Sequence, residues 1–239
     1  MRSIPFKGKY NVWVSIFARG GFKYGFSTLG ASIGQAKVPG PNLRGFILQL
    51  ANITHLINYG HLIKDRDFDA MAINEHSIEK TKINIAKGIL GKHIKIDISN
   101  LDEDKVANVA GTGWLQKGNK HIIKPKALLP ELDDLIDSGR SGMYACEPIK
   151  NVHVLVYVLY CWTNGEHDNE AAGMTNELIN LVLQDSNLQH DGPKLITTDL
   201  NCTIERLPAL QFAIENEGWC DVGGKASAFK GINELNTCK

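Results

Sequence analysis

Leu195-Ile196-Thr197-Thr198-Asp199-Leu200-Asn201 is the stretch around which the fold can be organised. It begins as a short apolar run and ends with an acid and an amide two positions apart. On a β-strand, side chains at i and i+2 lie on the same side. A strand with this ending would deliver Asp199 and Asn201 together to one end of a sheet. Both residue types also favour helix caps and turns, so this stretch alone leaves either interpretation open.

The composition predicts a globular protein without a generally basic surface. The 239 residues suffice for one large domain or two small ones, and 43% are hydrophobic, which allows a sizeable core. Lys plus Arg and Asp plus Glu both number 26, so the net charge is zero. Bulk positive charge is therefore excluded as a means of holding nucleic acid, and any such contact must come from a local groove.

Cysteine usage and hydropathy predict an intracellular protein, either nuclear or cytoplasmic. The five cysteines are widely spaced and form no CxxC pair, so we expect reduced thiols rather than disulfides or a zinc site. The apolar stretch around residues 12–17 is too short to span a membrane and lacks a signal-peptide pattern. We expect a monomer that does not contact membranes.

Apolar periodicity predicts strands and helices in alternation, and hence mixed α/β layers rather than a strict parallel repeat. Residues 1–43 are predicted to be an N-terminal extension or edge hairpin, and residues 44–239 the main domain. Val152–Leu159 is almost wholly apolar, which predicts a central strand buried on both faces. Strands are predicted at 10–17, 24–29, 46–51, 68–73, 93–98, 106–115, 143–146, 152–159 and 195–198. Helices are predicted at 53–64, 77–90, 128–136, 171–188 and 207–215, with a loop-like end from residue 219.

Several predicted strands end at a polar or phenolic residue that could carry chemistry. These residues are Asn52, Glu75, Tyr160 and the pair Asp199 and Asn201. Each has a structural alternative: Asn52 could cap a helix, Glu75 could be a solvated acid, and Tyr160 could be a hydrogen-bonded core phenol.

Six short motifs follow one another in a characteristic order along the chain: Ala51-Asn52, Ile73-Asn74-Glu75-His76, Gly139-Arg140-Ser141-Gly142, Val158-Leu159-Tyr160-Cys161-Trp162, Thr198-Asp199-Leu200-Asn201 and Glu217-Gly218-Trp219-Cys220-Asp221-Val222. In order and spacing, these motifs resemble the endonuclease/exonuclease/phosphatase superfamily, which includes AP endonucleases, DNase I and inositol polyphosphate 5-phosphatases. Their residues are most similar to those of divergent, retroelement-type or protist members. The resemblance implies an α/β fold in which a two-layer β-sandwich is flanked by helices, a DNase I-like arrangement of four layers, α/β/β/α.

The resemblance implies a metal-dependent phosphodiester hydrolase of the nuclease type, acting on DNA or RNA. Glu75 and Asn52 would hold Mg²⁺ or Mn²⁺, since Mg²⁺ takes only one or two protein carboxylates. Asp199 would orient or deprotonate the attacking water, and Asn201 would bind a phosphate oxygen. Tyr160 would donate to the phosphate or the leaving group.

Three further residues are candidates for the same groove. Arg140 would contact a substrate phosphate, although a surface arginine is an equal alternative. Asn164 would line the groove, with a plain turn as the alternative. His76 follows the expected metal ligand and could reach the groove.

The sequence departs from the superfamily at its end. The closing Asp-His pair of the superfamily does not follow Asp199, and His190 is the last histidine. We therefore expect a chain that is C-terminally incomplete, or one that has lost its final strand and its activity. The alternatives are a phosphatase of inositol phosphates or other phosphomonoesters with the same fold, and a non-catalytic nucleic-acid-binding or structural domain.

Overall fold

The computed structural model describes residues 15–19, 31–33, 46–53, 55–99, 111–118, 121–149 and 151–221. These residues form two five-stranded sheets and five α-helices. The strands are β1 (Ser15–Arg19), β2 (Ala31–Ile33), β3 (Phe46–Asn52), β4 (Ala70–Asn74), β5 (Ile94–Ile98), β6 (Thr112–Lys117), β7 (Ser141–Ile149), β8 (Val152–Tyr160), β9 (Lys194–Asp199) and β10 (Cys220–Asp221). The helices are α1 (Leu56–Lys64), α2 (Ile83–Leu90), α3 (Pro130–Asp137), α4 (Asn169–Leu188) and α5 (Pro208–Asn216).

Each sheet contains one parallel strand pair joined by a helix. Sheet I has the order β2-β3-β4-β6-β5, and sheet II has the order β10-β1-β9-β8-β7. In sheet I, β3 and β4 are parallel and α1 connects them. In sheet II, β8 and β9 are parallel and α4 connects them. The other described pairs are antiparallel.

Three apolar clusters show that the sheets pack face to face with helices outside. Side chains alternate along a strand, so each strand serves two clusters. In β4, Ala70 and Ala72 face sheet II, and in the same cluster Trp114 of sheet I stacks on Tyr144 of sheet II with ring centroids 5.1 Å apart. Residues of the opposite parity in sheet I pack with α1 and α2, and those in sheet II with α3, α4 and α5. The predicted four-layer α/β/β/α arrangement is confirmed.

Most predicted elements from residue 44 onward are present, with shifted ends. The strand predicted at 152–159 is β8, which lies between β7 and β9 and is buried along most of its length, as expected. The helix predicted from residue 77 begins later, with a 3₁₀ turn at Lys80–Lys82 before α2. The end predicted as a loop contains β10, which pairs with β1.

Within residues 1–43, β1 overlaps the strand predicted at 10–17 over residues 15–17, whereas β2 lies where no strand was predicted. β1 joins sheet II between β9 and β10, whereas β2 joins sheet I beside β3. The strand predicted at 24–29, and residues 106–110 of the one predicted at 106–115, lie outside the described residues. The domain division at residue 43 stays a prediction. Within the described ranges, no helix is both long and apolar enough to cross a membrane.

Candidate active site

The two parallel strand pairs bring their carboxyl ends to one rim of the sandwich. The registers align Asn52 with Asn74 in sheet I and Tyr160 with Asp199 in sheet II. Two hydrogen bonds then join the sheets at this end. The Asn52 Nδ2 donates to Asp199 Oδ2 at 2.8 Å, and the Asn74 Nδ2 donates to the Leu159 carbonyl at 3.0 Å. The strand ends singled out in the sequence therefore meet across the interface between the sheets.

Neither Asn52 nor Asp199 caps a helix, so the alternative structural role does not apply. The N-cap of α1 is His55, and the 3₁₀ turn after β9 begins after Thr203. Asp199 is only 3% exposed. The Oδ1 atoms of Asn52 and Asp199 are buried and have no hydrogen-bond partner among the described residues. Two unpartnered oxygens thus lie beside the 2.8 Å contact between the two side chains.

The carboxyl group of Asp199 has an unusual protonation equilibrium. Burial raises the pKa of Asp199 from 3.8 to about 6, the Asn52 amide opposes this shift, and the negative charge of Glu75 adds to it. The backbone N–H of Asn201 also favours the carboxylate. An acid with a pKa close to neutrality can accept a proton from water and release it again.

Glu75 and Tyr160 form a second pair on the same rim. Glu75 follows β4 directly and has a left-handed backbone with φ 56°, a conformation that costs a non-glycine residue on the order of 1–3 kcal/mol. Its backbone N–H donates to the Gly111 carbonyl at 2.9 Å. Burial and a hydrogen bond with Glu75 raise the pKa of Tyr160 well above its usual value of 10. The phenol therefore keeps its proton near neutral pH and can act as a donor.

Arg140 covers the Tyr160 side of the rim. Its guanidinium carbon lies 5.1 Å from the centre of the Tyr160 ring and 4.8 Å from that of Trp162. One guanidinium N–H donates to the Cys161 carbonyl at 3.4 Å. Burial lowers the pKa of Arg140, but an arginine remains charged in proteins. The structure thus places a positive charge beside the predicted catalytic tyrosine.

Asn201 and Asn164 lie beyond the strand ends and serve local structure. β9 ends at Asp199, and Asn201 has φ 54°, so the i, i+2 reasoning for a common strand face is wrong for this pair. The Asn201 side chain donates to the Cys161 carbonyl at 3.3 Å. Asn164 is exposed, with φ 68°, and its carbonyl accepts from the backbones of His167 and Asp168 in a turn. Their predicted phosphate and groove contacts stay predictions.

His76 does not reach the groove, so that expectation is wrong. The ring is buried, its Nδ1 accepts from the Ile78 backbone at 3.1 Å, and its Nε2 lies 3.4 Å from Ser99 Oγ. Burial lowers the pKa of His76 from 6.5 to about 4, so the ring is neutral. Asn74, whose side-chain amide joins the two sheets, was not predicted as a site residue. The alternation along β4 could have identified it, because Asn74 lies on the same face of the strand as Ala70 and Ala72.

The rim offers oxygen ligands of the type that a hard cation prefers. Glu75 supplies a carboxylate, and the unpartnered Oδ1 atoms of Asn52 and Asp199 supply two further oxygens nearby. Across the described ranges, no group of three or more His, Cys, Asp or Glu side chains has the arrangement of a metal site. Mg²⁺ does not need one, because it retains several waters and takes one or two carboxylates. The residues present fit Mg²⁺ or Mn²⁺.

These features define a class of architecture: a four-layer sandwich with a polar rim where the two sheets meet. No protein-family profile matches the chain, and no curated protein matches it. Solved structures do match, including an endonuclease/exonuclease/phosphatase family protein from Bacteroides thetaiotaomicron at 14% identity and TM-score 0.44, over 65% of this chain and 57% of that one.

Two further solved structures show the same degree of similarity. Truncated TDP2 from Caenorhabditis elegans is 13% identical with TM-score 0.42, over 63% of this chain and 56% of that one. The AP endonuclease LMAP from Leishmania major is 12% identical with TM-score 0.42, over 59% of this chain and 47% of that one. This chain therefore spans about half the length of these structures. The predicted resemblance to the superfamily is confirmed as a likeness of fold, and identities this low do not extend to activity.

Proposed function

We propose that this chain is a metal-dependent phosphodiesterase of the nuclease type, with its active site at the rim described above. The observation that supports this most directly is the 2.8 Å contact between Asn52 and Asp199, beside which one buried oxygen of each side chain has no described partner. A structural hydrogen bond would not need two orphaned oxygens, because burying such groups costs about 1–3 kcal/mol each. A cation bound to the Asn52 oxygen and a water hydrogen-bonded to the Asp199 oxygen would satisfy both atoms.

Hydrolysis of a phosphodiester needs a cation for the phosphate charge, an activated water and a donor for the leaving oxygen. Glu75 and the unpartnered Asn52 oxygen would hold the cation, which leaves the unpartnered Asp199 oxygen for the attacking water. When bound, the cation supplies charge neutralisation at the phosphate and lowers the pKa of a bound water. The remaining tasks fall to side chains of this chain.

Asp199 is the group that would accept the proton of the attacking water. With a pKa of about 6 it is mostly ionised at pH 7.5, yet it is a stronger base than an ordinary aspartate. Tyr160 keeps its proton and would donate it as a hydrogen bond to a phosphate oxygen or the leaving group. Arg140 would hold the Tyr160 ring in place and add a positive charge at the phosphate. Nucleic acid as the substrate, and a monomeric state, are parts of this proposal.

The test is nicking of supercoiled plasmid with Mg²⁺ or Mn²⁺ present. We expect Glu75→Gln and Asp199→Asn each to lower the rate by two or more orders of magnitude, since members of one catalytic site act together. Glu170→Gln, an exposed acid in the first turn of α4, is the matched control and should leave the rate unchanged. Nicking that survives both rim substitutions would refute the proposal. Phosphate release from a soluble inositol phosphate without nicking would identify a phosphatase instead, and DNA retention without turnover would identify a binding domain.

A further inference from the structure

The outer side of β5 carries a concentration of positive charge that the proposed catalytic chemistry does not use. β5 is the last strand of sheet I. A groove of about 490 Å³ runs beside it, and the charged residues that line it are Lys87, Lys92, Lys95, Lys124 and a single acid, Asp97. In a chain whose net charge is zero, this groove is a local basic surface suited to a polyanion.

A second cavity, next to the groove, lies beside the rim of the candidate active site. This cavity has a volume of about 220 Å³ and shares Lys124 with the groove. Thr112 and Ser141 line it from β6 and β7. In register, Thr112 lies beside Asn74, and Ser141 lies beside Leu159. The cavity is therefore one strand further along the same rim as Glu75 and Tyr160.

Two buried hydroxyl groups in this cavity have no described partner. Thr112 is 0% exposed and Ser141 is 1% exposed, and neither hydroxyl has a hydrogen-bond partner within the described part of the chain. Hydroxyls can donate to phosphate oxygens, and burial makes an unpaired hydroxyl costly. Lys126, which pairs with Asp133 at 4.0 Å, adds a further ammonium group to the wall.

We propose that a single polynucleotide strand passes from the active site along Thr112 and Ser141 and lies with its phosphates against the lysines of the β5 groove. This assignment rests on the proposed function, because it extends the substrate of the same site. Lys124 stands at the junction of the two cavities, with its ammonium group 2.9 Å from Asp97.

An acidic peptide that pairs with β5, the last strand of sheet I among the described residues, is the competing occupant. Ile94 and Ile96 of β5, and Ile122 opposite, give the groove an apolar floor that could accept such a peptide. The second cavity borders the groove at Lys124 and the rim at Thr112 and Ser141, and this position favours the polynucleotide because one chain of phosphates would span both cavities.

The test measures binding without catalysis, using the full chain, EDTA and a fluorescein-labelled 12-nucleotide oligothymidylate. The Lys87→Gln/Lys92→Gln double variant removes two charges from the groove. Each phosphate contact on a single strand contributes about 0.7 to the slope of log affinity against log salt. We expect the slope to fall by about 1.4, and the affinity at about 0.1 M salt to fall by about 25-fold. Lys82→Gln is the matched control, since Lys82 pairs with Glu79 at 2.6 Å and lines neither cavity.

Hydrolysis of bis(p-nitrophenyl) phosphate with Mg²⁺ separates this proposal from the catalytic one. This diester is too short to extend from the active site into the groove. The double variant should therefore hydrolyse it at the wild-type rate. Absence of hydrolysis together with lysine-dependent oligonucleotide binding would refute the catalytic proposal alone. Equal affinity losses in the double variant and Lys82→Gln, or an unchanged salt slope, would overturn the groove assignment. Lysine-dependent binding of an oligoglutamate peptide in place of the oligonucleotide would also overturn it.

Discussion

Replacement of Asp199 by asparagine should stabilise the protein at neutral pH while it abolishes activity. The change of pKa from 3.8 to about 6 means that ionised Asp199 costs the folded state about 3 kcal/mol. Asparagine has nearly the same shape, and its carbonyl can accept the hydrogen bond that the Asn52 amide now donates to Asp199. The variant therefore keeps the contact and removes the buried charge.

The gain in stability should depend on pH with a defined sign. Below about pH 3.8, Asp199 is protonated in both the folded and the unfolded state, and the charge costs nothing. Between 3.8 and about 6 the unfolded state releases its proton first, so the wild type loses stability as the pH rises. Above about pH 6 the cost is constant. The free energy of unfolding of Asp199→Asn should exceed that of the wild type by about 3 kcal/mol at pH 8 and by almost nothing at pH 3.5.

The contribution of His76 to stability changes with pH in the opposite direction, so it partly offsets the contribution of Asp199 in the wild type. Burial lowers the pKa of His76 from 6.5 to about 4, so its neutral form contributes stability that is fully present above pH 6.5. That contribution is lost as the pH falls towards 4, and it amounts to about 3 kcal/mol. Between pH 4 and 6 the two groups nearly offset each other in the wild type. In Asp199→Asn only His76 remains, so the stability of that variant should rise with pH over this range.

Urea unfolding between pH 3.5 and 8 in EDTA measures these differences. Asp185→Asn is the matched control, because Asp185 is also buried but accepts hydrogen bonds from the backbones of Leu128 and Leu129 and from the Tyr157 hydroxyl. It should lose stability, by about 1–3 kcal/mol. Addition of Mg²⁺ should stabilise the wild type, since a bound ligand stabilises the folded state. The reasoning is refuted if Asp199→Asn is less stable than the wild type at pH 8, or if the difference is the same at pH 3.5.

The other predictions concern the turn behind the site and the Tyr160 side of the rim. Gly111→Ala should lower the free energy of unfolding by about 3 kcal/mol or more, because Gly111 has φ 132° and an added Cβ would lie 2.4 Å from His76 Nε2. Thermal melting measures this, and a wild-type melting temperature would contradict the described turn. Tyr160→Phe should lower the nicking rate by about 10–100-fold with a stability loss near 1 kcal/mol, since only the hydroxyl bonded to Glu75 is removed. A rate equal to that of the wild type would exclude Tyr160 as a donor. Arg140→Lys should also lower the rate, because lysine cannot reproduce the planar contact over the Tyr160 ring, and unchanged kinetics would show that charge alone suffices.

The convergence of the rim could be predicted because it follows from topology. In one strand-helix-strand unit, Asn52 ends the first strand and Glu75 follows the second. In another such unit, Tyr160 and Asp199 end the two strands. In a parallel pair joined by a helix, both carboxyl ends lie at the same edge of the sheet. Apolar periodicity is enough to recognise such units, so the sequence predicted which side chains would meet.

The remaining details depend on backbone geometry that residue types do not reveal. Asn201 was predicted to share a strand face with Asp199, but β9 ends at Asp199, two residues before Asn201. His76 was expected in the groove because it follows Glu75, but the left-handed backbone at Glu75 turns the chain and directs the ring to Ser99. The β5 groove could not be foreseen, because its lysines come from α2, the loop that follows it, β5 and the segment before α3.

Asp199 and Asp185 together show why the rim is better explained by function than by folding. Both carboxyl groups are buried in or beside sheet II. Asp185 accepts hydrogen bonds on both of its oxygens, from Leu128 and Leu129 on one and from Tyr157 on the other, which is how a fold stabilises a buried charge. Asp199 has a side-chain amide on one oxygen, no described hydrogen-bond partner on the other, and a raised pKa. An arrangement that destabilises the folded state at neutral pH is expected where a carboxylate must bind a cation or take a proton from water, because full pairing would prevent both.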